Sequence, residues 1–130
     1  LIMFDLDHFK RINDRYGHQC GDTVLKAAAQ TAGAGLRETD CLARYGGEEF
    51  AVLLPQSGRA EAEAVAERIR DALARLTVTW DGHQLSLTAS FGATAAAATD
   101  RDIDQLLERA DRAMYEAKNA GRDRVVYLDE

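Results

Sequence analysis

The stretch ARYGGEEFAVLL, residues 43–54, interrupts an apolar run with two glycines and two glutamates. On either side of the glycines, CLARY (41–45) and FAVLL (50–54) have the composition of strands. The glycine pair makes a turn between them, and Pro55 ends the second strand, so the segment reads as a β-hairpin. Glu48 and Glu49 then stand at a turn beside a strand apolar enough to be buried. A plain hairpin accounts for the glycines and leaves both glutamates in water. A ligand site accounts for all four residues, because glycine lets a bulky group approach the backbone.

Upstream, LIMF (1–4) followed by Asp5 reads as a short buried strand with a carboxylate at its C-terminal end. Asp7 is placed to cap a helix over about 8–16, which stops near Gly17. A second helix runs over about 22–37, with Leu25, Ala28, Ala29, Ala32 and Leu36 on its apolar stripe. Downstream, a helix over about 60–76 places Ala62, Val65, Ala66, Ile69, Ala72, Leu73 and Leu76 on one face. TVTW (77–80), a turn at Asp81-Gly82 and LSLTASFGAT (85–94) make a second hairpin. A last helix over about 102–119 carries the stripe Ile103, Leu106, Leu107, Ala110, Met114 and Ala117. Gly121 closes that helix, and VVYL (125–128) is a final strand.

This order predicts an α+β fold, a ferredoxin-like arrangement whose central, mostly antiparallel sheet is flanked by helices. In that topology the hairpin's second strand lies between the first strand and the hairpin's first strand. Asp5 therefore converges with Glu48 and Glu49 from more than forty residues away. Three carboxylates at one sheet edge repel one another, and such clusters hold a cation. Oxygen donors without a histidine or cysteine cluster favour Mg²⁺ or Mn²⁺. A magnesium ion held by one or two carboxylates takes its remaining ligands from water and phosphates.

With 130 residues the chain is one domain with room for a single core. A net charge of −6 argues against a nucleic acid polymer as partner, but not against a nucleotide. Cys20 and Cys41 are isolated, which fits a reducing, cytoplasmic setting. No apolar run approaches a membrane span. The abrupt apolar opening at Leu1 suggests a domain taken from a longer protein.

ARYGGEEF resembles the signature of the GGDEF family, the diguanylate cyclases, in its GGEEF form. FDLDHFKRINDRYGHQCGD (4–22) is similar to the family's metal and guanine segment, ASFGAT (89–94) to its core strand, and AMYEAKNAGRDRV (113–125) to its C-terminal segment. The matches occur in the family's order and cover nearly the whole chain. The resemblance implies a palm-type nucleotidyl cyclase fold. Residues 1–130 would form a GGDEF domain lacking the usual N-terminal helix and its DxLTxLxNR-like lead-in. It further implies condensation of two GTP into cyclic di-GMP and two pyrophosphates by a homodimer of facing subunits, with Mg²⁺ or Mn²⁺, two per active site. A fused or partner regulatory domain would supply the input, and the full-length protein could be membrane-anchored through other regions.

Carried over residue by residue, the resemblance makes Asp5 and the Leu6 carbonyl metal ligands. Glu49 becomes the second carboxylate ligand and Glu48 the candidate base, although either glutamate can reach metal. Asn13 and Asp22 match the guanine-reading pair, and an aspartate can accept from guanine N1–H and N2–H₂ together. His18 lies between them as a possible substrate contact or a structural histidine. Phe9 and Lys10 offer N–H groups at a helix start. Lys118 and Arg122 match triphosphate contacts. Arg37 and Asp40 match an RxxD inhibitory site for the product, with Arg68 as its secondary arginine. Each has a plainer reading: Asp22 a helix cap, Asn13 a solvated residue, Lys118 a cation at a helix end, Arg122 a surface residue, and Arg37–Asp40 an exposed ion pair. Two other functions stand beside the cyclase: a non-catalytic module that senses cyclic di-GMP or GTP, and a different palm-type nucleotidyl cyclase or polymerase.

Overall fold

The computed structural model describes residues 1–129. Its elements are β1 (Ile2–Leu6), α1 (Phe9–Tyr16), α2 (His18–Gly33), β2 (Cys41–Arg44), β3 (Glu49–Leu53), α3 (Arg59–Arg75), β4 (Thr77–Trp80), β5 (His83–Ser86), β6 (Ala89–Ala93), α4 (Ile103–Asn119) and β7 (Arg124–Tyr127). The main sheet has the order β2-β3-β1-β6-β7, and β4-β5 form a separate two-stranded sheet. Only the β6–β7 pairing in the main sheet is parallel. The hairpin's second strand does lie between β1 and β2, as the topology predicts.

Alternation along β1 separates the two faces of the sheet. Ile2, Phe4 and Leu6 face the helices α1, α2 and α3 and join a core containing Val24, Val52, Leu73 and Phe91. Met3 faces the other way and packs with Leu106, Ala110 and Met114 of α4. Phe4 is flanked by Phe50 and Phe91 on the neighbouring strands, with ring centroids 5.0 and 4.8 Å apart. Asp5 shares the parity of Met3. Its carboxylate is therefore delivered to the α4 face, at the end of β1.

Four local expectations are corrected. Asp7 does not cap α1: His8 holds that position in a left-handed conformation (φ 57°) with no side-chain cap. The buried Asp7 carboxylate turns instead to Thr88, Ser90 and the Asp123 N–H. Helix α2 starts at His18 rather than 22, because Gly17 alone, at φ 92°, turns the chain between the two helices. Asp22 therefore sits within α2 and caps nothing. The helix also ends earlier, at Gly33, which leaves Leu36 packed on the core from the following turn and puts Arg37 and Asp40 outside the helix. Finally, LSLTASFGAT is not one strand. It breaks at Leu87–Thr88, so that β5 pairs with β4 while β6 enters the main sheet. The Asp81-Gly82 turn is as expected, with both residues at positive φ, which matches the right-handed twist of a hairpin.

Gly121 follows α4 as expected. The Arg122 N–H reaches the Ala117 carbonyl at 3.0 Å, and the Gly121 N–H points to Lys118, closing the helix with a left-handed cap. One residue on the buried side of α4 is not apolar. Arg109 is ion-paired with Asp100 at 2.8 Å and also donates to the Thr94 hydroxyl and the Ala95 carbonyl. Among the described residues no helix is long and apolar enough to cross a membrane.

Candidate functional site

Sheet register brings the sequence-distant carboxylates together. Asp5 pairs with Glu49 across β1 and β3, and the Leu6 N–H donates to the Glu48 carbonyl at 3.2 Å. The last turn of α4 passes over the same edge, where the Lys118 ammonium donates to Asp5 Oδ2 at 2.8 Å. Helix α1 begins there too, and the first N–H groups of a helix have no partner within it. One cleft is thus lined by Asp5, Leu6, Phe9, Lys10, Glu48, Lys118 and Arg122, together with Asp7 and His8. Seven of the residues singled out from the sequence meet there.

The three-carboxylate cluster expected from topology is looser than predicted. Asp5 and Glu48 share the cleft, whereas the Glu49 carboxylate lies back against Gly46. Among the described residues no three His, Cys, Asp or Glu side chains form a group ready to hold a metal. Two carboxylates and the Leu6 carbonyl still make an all-oxygen donor set. That set fits Mg²⁺, which needs only one or two protein carboxylates when phosphates and water complete its shell. The electrostatics favour a positive charge at this point. Asp5 is only 6% exposed. Burial pushes its carboxyl up to about 6, the bond from Lys118 opposes the shift, and the charges of Glu48 and Glu49 add to it.

The turn itself is braced by a residue the sequence reading did not single out. Arg44 donates through Nε to the carbonyls of Gly46 (3.1 Å) and Gly47 (3.0 Å) and through Nη2 to Gly47 (2.7 Å). Neither glycine adopts a positive φ, so the turn does not need glycine for its backbone conformation. A side chain at Gly47 would enter open space, so no neighbouring protein atom requires glycine there. The signal in the sequence was an arginine two residues before the glycine pair, easily read as an ordinary strand-end cation.

Asn13 and Asp22 lie beside this cleft rather than in it. Asp22 lines a neighbouring hollow with Leu25, Lys26, Ala29, Leu42, Arg44 and Phe50. The Asn13 Oδ1 is buried and is the one such side-chain atom without a hydrogen-bond partner among the described residues. It packs over Gly21, where a Cβ would stand 1.8 Å from it. His18, the first residue of α2, is exposed and lines neither hollow.

Arg37, Asp40 and Arg68 do come together, in a separate hollow lined also by Gly35, Ser57 and Glu61. The Arg37 guanidinium binds Asp40 at 2.9 Å and reaches Ser57 and the Pro55 carbonyl. Arg68 donates to the Gly35 carbonyl at 2.7 Å. The Arg37 side-chain bond, then its backbone N–H, hold the Asp40 carboxyl below its usual range.

Comparison with known proteins bears on this geometry. Residues 1–124 match the family described as "Diguanylate cyclase, GGDEF domain". Diguanylate cyclase DgcP of Pseudomonas aeruginosa is 46% identical over 125 residues, which cover 96% of this chain and 18% of that protein. Diguanylate cyclase A of Treponema denticola is 42% identical, covering 96% of this chain and 34% of that protein. The chain thus spans about a fifth and about a third of the length of these two curated relatives. Among solved structures, the GGDEF domain of DgcB from Caulobacter crescentus in complex with c-di-GMP superposes with a TM-score of 0.92 at 32% identity, covering 97% of this chain and 75% of that one. A match that runs through β1, the hairpin turn and α4 takes in every element that walls the cleft, and the chain belongs to the GGDEF domain family.

Proposed function

We propose that the protein carrying this domain is a diguanylate cyclase, condensing two GTP into cyclic di-GMP and two pyrophosphates. The observation that carries the reading is the meeting of Asp5, Glu48, Lys118, Arg122 and the start of α1 around one cleft. The family membership and the relatives named diguanylate cyclase support it. In the reaction each ribose 3′-oxygen forms a bond to the α-phosphorus of the other GTP, and the bond to the β-phosphate breaks to release pyrophosphate. Such transfer depends on positioning and charge neutralisation more than on covalent help from the protein.

Asp5, the Leu6 carbonyl and Glu48 would hold Mg²⁺ or Mn²⁺, two ions per site, with Glu49 adding negative charge from β3. A bound divalent ion supplies charge neutralisation of the phosphates and acidifies the attacking hydroxyl. Glu48, which lines the cleft, receives the proton of the 3′-hydroxyl. Lys118 and Arg122 bind the β- and γ-phosphates, and the Phe9 and Lys10 N–H groups bind phosphate oxygens at the helix start. Asp22 accepts from guanine N1–H and N2–H₂, and Asn13 completes the base contact. One domain holds one GTP, so a second copy must face it for both bonds to form. The regulatory input lies in another domain or partner.

The test is incubation with GTP and Mg²⁺ at high protein concentration, reading the product by mass spectrometry, on this domain and on the longer protein that contains it. Cyclic di-GMP forms from GTP and not from ATP. Glu48→Gln lowers the rate by about 10²–10⁴ if Glu48 takes the proton, and Glu49→Ala lowers it as well. An unchanged rate in both variants would sink the assigned site.

The hollow around Arg37, Asp40 and Arg68 supports a second role, binding cyclic di-GMP as an inhibitor. Guanidinium groups can stack on guanine and grip phosphate, and Asp40 accepts from the guanine edge. Calorimetry with cyclic di-GMP gives binding to wild type that is lost in Arg37→Ala. Binding without any turnover in the longer protein would instead favour a sensor module.

A further inference from the structure

Three consecutive residues after α4, Gly121, Arg122 and Asp123, run at positive φ, 124°, 65° and 44°. Glycine takes this conformation freely and aspartate tolerates it, but arginine does so only when its surroundings impose it. Arg122 is the residue of this turn that lines the cleft. The conformation is imposed from two sides. On the outer side, Arg70 Nη1 binds the Asp123 carboxylate at 2.9 Å. On the inner side, the Asp123 N–H donates to Asp7 Oδ2 at 3.1 Å.

Asp7 is itself fixed. Its Oδ1 accepts from the Ser90 hydroxyl and its Oδ2 from the Thr88 hydroxyl, both at 2.6 Å. The residue is as buried as Asp5, and its backbone N–H binds the Thr88 carbonyl at 2.8 Å. Both carboxylate oxygens are occupied by hydroxyls and a backbone N–H, so Asp7 is committed to the protein rather than to a cation. A buried carboxylate is costly unless its oxygens are matched by donors in this way. The three donors come from β6, the segment leading into it, and the turn after α4. One side chain thus ties the end of β1 to the loop that carries Arg122.

We infer that Asp7 is a positioning residue. By holding the Asp123 N–H it keeps the left-handed turn in place and sets Arg122 against the phosphates of the bound nucleotide. The inference rests on the triphosphate role proposed above for Arg122. Asp7 acts through the turn.

The test separates phosphate binding from base binding. Affinities for GTP with Mg²⁺ and for guanosine alone are measured on wild type, Asp7→Asn, Arg122→Ala, and Asp7→Asn combined with Arg122→Ala. Asp7→Asn weakens GTP binding about tenfold, the scale of one lost hydrogen bond to a charged group. Guanosine affinity stays at the wild-type value. Because Asp7 acts through Arg122, the double variant binds GTP no more weakly than Arg122→Ala alone. A role for Asp7 independent of Arg122 predicts that the two losses multiply. Parallel loss of GTP and guanosine affinity, or multiplied losses in the double variant, overturns the inference. Full GTP affinity in Asp7→Asn with loss in Arg122→Ala overturns it while sparing the triphosphate reading. Full affinity in both overturns the two together. If Asp7→Asn does not fold, Thr88→Val removes one of the hydroxyls that orient the carboxylate. It should weaken GTP binding about threefold and leave guanosine binding unchanged.

Discussion

Asp5 shows how one side chain can be costly to the fold and useful to the site. Its carboxyl is pushed up to about 6 from 3.8, first by burial and then by the neighbouring glutamates, despite the bond from Lys118. The folded protein therefore holds this proton more tightly than the unfolded chain. The resulting stability is fully present below about pH 3.8 and is lost as pH rises through about 6. Urea midpoints measured without divalent metal should fall for wild type over this window relative to Asp5→Asn, which stays neutral. Adding Mg²⁺ at pH 7 should raise the wild-type midpoint and leave that of Asp5→Asn unmoved. Gly21 offers a second test. An added methyl there meets the Asn13 amide oxygen at 1.8 Å, and that oxygen is the movable end of a side chain. Gly21→Ala should therefore leave the domain folded, displace the Asn13 amide and weaken guanosine binding severalfold, as read by titration. The pairing of Asn13 with Gly21 was not legible in GHQCGD, because it depends on how α1 crosses α2.

Helix periodicity was the most dependable signal in the chain, and strand boundaries were the least. The stripe of α4 is read correctly because burial on one side repeats every three to four residues. Ile103 is the exception: it lies 53% exposed at the first turn. Arg109 lies on the buried side and was passed over, since nothing local shows that Asp100 will return to pair with it. The run LSLTASFGAT keeps its alternation through the break at Leu87–Thr88, so period two cannot reveal that the chain changes sheets there. In β6 both faces are covered, and even Ser90 is fully buried. Gly92 in this strand has a concrete reason. A Cβ would lie 2.1 Å from the Ala110 carbonyl oxygen and 2.2 Å from the Met114 nitrogen, both backbone atoms of α4. Gly92→Ala cannot be relieved by a rotamer change and must push α4 off the sheet. A loss of about 3 kcal/mol or more is expected by chemical denaturation, at the upper end of overpacking costs.

The cleft exists because three separated segments are tied to one sheet edge, and the core beneath that sheet keeps them in register. Phe4 is the centre of this core, stacked between Phe50 of β3 and Phe91 of β6. Its neighbour Asp5 is aligned with Glu49 by the same pairing. Phe4→Ala should cost about 3–5 kcal/mol. In any fraction that still folds, it should also reduce the GTP turnover proposed above, because the strand that carries Asp5 loses its anchor. Denaturant titration and a GTP turnover assay on the same preparation check both effects.

The sequence by itself determined the α+β class, the helix faces, the hairpin around the glycine pair and the residue types of the site. These depend on periodicity and on short motifs, which are local properties of the chain. Tertiary structure alone decided that Glu48 rather than Glu49 lines the cleft and that Lys118 meets Asp5. It also decided that Asp7 serves the loop after α4 instead of capping α1. Each of these depends on segments far apart in the sequence meeting once the chain has closed on itself. Asp7 meets Thr88, Ser90 and Asp123 across more than eighty residues because β1 and β6 pair, and no local pattern records that pairing.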